Sequence, residues 1–147
     1  MQVSLHMRGR RVFNPKRRIC DETEARARLE ALHDAGALPS YGGNPEHKRS
    51  PGDFGLDPAS SSRPGKTLCD AVRIHTRARA LELLSEGFSR GLFSVQARGL
   101  WPQNVWAVTD EGDPLEAQLE GEGRYHGYPM PDGDPFREEV LARWEQK

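Results

Sequence analysis

The chain has 147 residues and a net charge of −1, with 35% hydrophobic and 29% charged residues. That length fits one domain, 1–147, which can bury roughly two-thirds of the surface its unfolded form exposes and needs no metal or disulfide to hold a core. No apolar run approaches the ~20 residues of a membrane span. The opening Met1-Gln2-Val3-Ser4-Leu5-His6-Met7 lacks the apolar stretch of a secretory signal. The two cysteines, Cys20 and Cys69, fit no metal or redox spacing. A reduced, cytoplasmic setting, no membrane and no cofactor are the resulting expectations.

Charge is unevenly placed. Residues 1–80 carry 15 Lys/Arg against 9 Asp/Glu and residues 81–147 carry 6 against 13, so the first part is +6 and the second −7. Two readings follow: a basic face that meets an anion, or two halves that attract each other within the fold.

In chain order, residues 1–20 form a basic N-terminal arm. Arg8, Arg10, Arg11, Lys16, Arg17 and Arg18 crowd together there, either to bind phosphate or as a solvated terminus. A helix is predicted from Glu22 to Ala35, with Asp21 as N-cap, Glu24 completing a capping box, Ala25, Leu29 and Leu32 as its apolar stripe and Gly36 as its stop. Residues 36–66 read as a long irregular loop, and a loop of that length in a small domain is functional or disordered. A second helix is predicted from a Thr67 cap to Gly87, with Leu68, Val72, His75, Ala78 and Leu81 at helical spacing. The period then changes. Residues 91–97, 103–109, 115–120 and 124–129 read as strands, and Leu115, Ala117 and Leu119 alternate with Glu116, Gln118 and Glu120. Asp110-Glu111-Gly112-Asp113 and Gly121-Glu122-Gly123 supply the turns. A last helix opens at Asp134-Pro135 and docks through Phe136, Val140, Leu141 and Trp144. The expected fold is α+β: N-terminal helices, a four-stranded antiparallel meander sheet and a C-terminal helix.

Three segments carry candidate chemistry. Glu46-His47-Lys48-Arg49 places an imidazole that titrates near neutral pH beside two cations. Cleaving RNA without a metal needs those parts: a base for the 2′-hydroxyl, an acid for the leaving oxygen and cations for the phosphate. An exposed loop with ordinary charges reads equally well. Arg124-Tyr125-His126-Gly127-Tyr128-Pro129 is the second; on a strand, His126 shares a face with Arg124 and Tyr128 while Tyr125 points the other way. The aromatic rings could stack bases, or Tyr125 could sit in the core. The third is Pro64-Gly65-Lys66-Thr67, where Lys66 and Thr67 at a helix start could touch phosphate. It is not a P-loop, because Ser60 stands where the first glycine would be and no apolar strand precedes it.

The order His47-Lys48, then Asp53-Phe54-Gly55, then a helix, then a strand meander resembles bacterial ribonuclease toxins of the barnase, EndoU, colicin D and RelE group. Colicin D-like toxins that cleave tRNA carry a Lys-His pair just before Asp-Phe-Gly. Here the pair is reversed, and Arg49 to Gly52 intervene. The resemblance implies a metal-independent endoribonuclease acting on RNA, with a cognate antitoxin or immunity protein as a further partner. His47, Lys48, Tyr125 and His126 are its catalytic candidates. Arg49, Lys66, Thr67, Arg124 and Tyr128 are its substrate-binding candidates. The principal rival is a non-catalytic interaction protein (an immunity protein, antitoxin or mobile-element accessory factor) whose acidic second half binds a basic protein. A third reading is an enzyme acting on a small phosphorylated ligand through Lys66.

Overall fold

Helix α1 begins where the capping chemistry puts it. A computed structural model describes residues 17–42 and 76–146, and in it α1 spans Glu22–Asp34. The Asp21 carboxylate accepts from the Glu24 amide at 2.8 Å, pairing one of the N–H groups that a helix start leaves open. Gly36, at φ +65°, supplies the left-handed residue that closes the helix. Ala25 and Leu32 are buried on its inner face.

Strand β1, Ser40–Tyr41, follows within the stretch that reads as loop. Helix α2 is Arg77–Ser89, capped by Thr76, whose hydroxyl accepts from the Arg79 amide at 3.1 Å. The expected start at Thr67 lies outside the described residues. The expected stop at Gly87 is corrected: α2 runs on to Ser89 and ends at Gly91, φ +73°. Gly87 serves close approach, since a Cβ there would collide with the Trp106 carbonyl and lie 2.9 Å from Val105 Cγ1.

Strands β2 (Ala97–Arg98) and β3 (Trp101–Pro102) form a small antiparallel hairpin. Strands β4 (Asn104–Val108), β5 (Pro114–Gly121) and β6 (Arg124–Pro129) pair antiparallel in sequence. The connecting turns use positive φ at Gly112, Glu122 and Gly123. Helix α3, Phe136–Gln146, is opened by Asp134, whose carboxylate accepts from the Phe136 amide at 3.0 Å.

The fold class is α+β, but the main sheet is mixed, in the order β1-β6-β5-β4. This corrects the all-antiparallel expectation. Within the expected strand 91–97, Phe93 and Ser94 contribute only single bridges, to Val105 and Ile19, and Ala97 already belongs to β2. The fourth place goes to β1 at the opposite edge. It lies parallel to β6, with Ser40 opposite Arg124 and Tyr41 opposite Tyr125.

Each face of the sheet has its own apolar cluster. Leu115, Ala117, Leu119 and Tyr125 pack against Ala80, Leu83, Leu84 and Phe88 of α2. Trp106 and Val108 pack against Met130, Phe136 and Val140, with the Trp106 and Phe136 ring centroids 5.2 Å apart. Burying one such side chain contributes roughly 1.5–3 kcal/mol.

Candidate functional site

Strand alternation puts Glu116, Gln118 and Glu120 of β5 and Arg124, His126 and Tyr128 of β6 on the face turned away from α2. Across the strands, Glu116 lies opposite Tyr128 and Gln118 opposite His126. The ladder then slips. Leu119 pairs with Tyr125 and Gly121 with Arg124, which leaves Glu120 as the extra residue of a β-bulge. Bulges re-aim side chains. Here the Glu120 carboxylate lies between two β6 side chains, with Oε2 3.1 Å from His126 Nδ1 and Oε1 3.4 Å from Arg124 Nε.

That arrangement has defined chemistry. A carboxylate on Nδ1 favours a proton there and presents Nε2 as the proton-accepting nitrogen. When the ring is protonated, the same carboxylate stabilises the cation. The His126 side chain is 22% exposed and that of Arg124 56%, so an imidazole and a guanidinium meet solvent side by side.

A second polar centre lies deeper on the same face. Glu116, only 1% exposed, accepts from Arg17 Nε and Nη2 at 3.0 Å each, from Trp106 Nε1 at 3.0 Å and from the Tyr128 hydroxyl. Arg17 Nη1 also donates to Asp134 at 2.8 Å, and Gln118 Nε2 donates to the Tyr128 oxygen at 3.1 Å. A buried carboxylate with this many donors is satisfied, and it ties elements together. Burial works against the Arg17 charge, but the bonds to Asp134 and Glu116 more than offset it and hold the guanidinium well above its ordinary pKa. Burial, reinforced by the Glu116 charge, pushes the Tyr128 phenol far up, so the hydroxyl stays a donor.

The structure thus brings Arg124, His126 and Tyr128 onto one face, with the Tyr128 hydroxyl committed to Glu116. Tyr125 is not with them. It is fully buried on the α2 side, its hydroxyl donates to the Pro102 carbonyl, and its ring packs edge-on against Phe88 and Trp101. Desolvation pushes its phenol up as well, which suits a core residue rather than a proton carrier. His47, Lys48, Arg49, Lys66 and Thr67 lie outside the described residues.

Sequence reasoning missed Glu120, Glu116 and Arg17. Glu120 and Glu116 look like ordinary members of a wet strand face, and nothing in the pattern announces a bulge or a buried partner 99 residues away. Among the described residues no three His, Cys, Asp or Glu side chains gather to hold a metal, and no helix is long and apolar enough to cross a membrane. No family model matches the chain, and no curated protein or solved structure matches it either.

Proposed function

We propose that this chain is a metal-independent endoribonuclease of the bacterial-toxin type, cleaving RNA by acid/base chemistry. The observation that carries the reading is Glu120 set between His126 and Arg124 on one sheet face. In the proposed reaction one imidazole, His126 or His47, takes the proton of a 2′-hydroxyl. The 2′-oxygen attacks the adjacent phosphorus and a 2′,3′-cyclic phosphate forms. The bond to the 5′-oxygen breaks, and that oxygen leaves with a proton from the other imidazole. Arg124, with Lys48 and Arg49, neutralises charge on the phosphate oxygens. Tyr125, as a core residue, has no part in the chemistry, and Tyr128 frames the site through Glu116.

The test is inducible expression in a bacterial host, with total RNA examined for wild type, His47→Ala and His126→Ala. Growth arrest with discrete RNA fragments, lost in His126→Ala, is the expected result. Intact RNA in the cell and in a tube with purified protein would sink the reading. The alternative is then a non-catalytic protein that binds a basic partner. It is favoured by acidic side chains standing in solvent at two separate turns, Asp110 at 90% and Asp132 at 106% exposure.

A further inference from the structure

The Glu120–His126–Arg124 arrangement rests on the residue that follows β1. Gly42 sits just beyond Tyr41, and its amide donates to the Tyr125 carbonyl at 2.7 Å, continuing the parallel pairing with β6. This pairing brings the Gly42 Cα beneath the Arg124 side chain. A Cβ built there would lie 2.5 Å from Arg124 Nε, 3.0 Å from Glu120 Oε1 and 3.3 Å from Arg124 Cζ. No real Cβ tolerates the first of those distances.

Among the described residues the atoms nearest that Cβ all belong to the side chains of Arg124 and Glu120. A methyl group at position 42 therefore displaces the guanidinium and the carboxylate without prying the strands apart. The other side of the same carboxylate is the oxygen 3.1 Å from His126 Nδ1. Any shift of Glu120 away from Gly42 is transmitted to the imidazole.

We infer that Gly42 is a positioning residue: by lacking a side chain it lets the Arg124–Glu120 pair lie flat across β1, and the Glu120 carboxylate so placed holds the proton of His126 on Nδ1. The inference rests on reading this face as the reactive one, but its principal readout does not depend on catalysis.

The experiment compares the His126 ring ¹⁵N shifts in wild type, Gly42→Ala, Glu120→Ala and the double variant Gly42→Ala/Arg124→Ala. Wild type is expected to show the Nδ1–H tautomer. Gly42→Ala moves towards the Nε2–H signature of Glu120→Ala, with the backbone amide spectrum otherwise preserved. In the double variant the 2.5 Å clash with Arg124 is gone, only the 3.0 Å approach to Glu120 Oε1 remains for a small adjustment to absorb, and the Nδ1–H signature returns, which a simple folding defect would not allow. Cleavage by Gly42→Ala is expected to fall about 10-fold in kcat, short of the 10²–10⁴ that losing an acid/base group costs. If Gly42→Ala leaves the ring shifts as in wild type, the positioning role is wrong, whatever the protein does to RNA. If the shifts move as described but no variant, wild type included, cleaves RNA, Gly42 keeps its role and the nuclease reading falls.

Discussion

Arg17 and Glu116, 99 residues apart in the chain, meet fork to fork through two hydrogen bonds of 3.0 Å, with the carboxylate almost wholly out of solvent. Two parallel bonds from a planar guanidinium fix both distance and angle. The pair ties the segment ahead of α1 to the centre of the sheet, and through Asp134 to the start of α3.

Arg17→Ala leaves a buried carboxylate with its charge unpaired, which typically costs about 3–5 kcal/mol. Urea unfolding monitored by tryptophan fluorescence is the measurement. Arg17→Lys should recover only part of the loss, because an ammonium cannot reproduce the fork. A loss under about 1 kcal/mol for Arg17→Ala, the range of an exposed pair, would show that Glu116 finds water instead.

Alkaline pH should weaken the fold. Burial pushes the Cys20 thiol up to about 11 from its ordinary 9.0 and raises the Tyr125 and Tyr128 phenols further. A group with a raised folded-state pKa holds its proton more tightly when folded. Its contribution is therefore complete below the unfolded pKa and is lost as pH climbs through the folded one. For Cys20 that is roughly 2–3 kcal/mol, fading between pH 9.0 and about 11. Unfolding midpoints measured from neutral pH upward should fall across that window, and Cys20→Ala should flatten the first part of the decline. A level profile to pH 11 contradicts this account.

Tyr125 and His126 are adjacent in sequence and opposite in consequence. Tyr125→Phe removes a buried hydroxyl and leaves the Pro102 carbonyl without its donor, for a cost of about 1–3 kcal/mol. On the proposed function it should leave RNA cleavage at the wild-type rate below the melting range, while His126→Ala loses cleavage at unchanged stability. Loss of kcat in folded Tyr125→Phe would return that residue to the site.

Much of the fold is legible in local chemistry. The Asp21 cap, the Gly36 stop, the β4–β6 meander with both its turns and the Asp134-Pro135 start of α3 each rest on a few neighbouring residues, and the structure has them where the pattern puts them. The departures are non-local. Ser40-Tyr41 has no strand pattern of its own and becomes β1 only because β6 offers an edge. Gly87 reads as a breaker, yet it sits inside α2 because Trp106 comes close. For the site, the alternation of Arg124, His126 and Tyr128 is written in the sequence. The partner carboxylate is not, since Glu120 is aimed by a one-residue slip that no spacing rule reveals. Arg17 reads as one more charge of a basic arm, whereas its side chain is spent inside the molecule.

The parallel seating of β1 against β6 also orders events in time. Strands β4 to β6 join immediate neighbours along the chain, and such pairings close quickly. Ser40 and Tyr41 must instead wait for residues 124 and 125, and Arg17 must wait for Glu116. During synthesis the amino-terminal pieces emerge first, and Ser40 and Tyr41 have no edge to pair with until β6 has been made. On the proposed function, the centre formed by Glu120, His126 and Arg124 therefore comes into being only after β6 has been made and the sheet has closed.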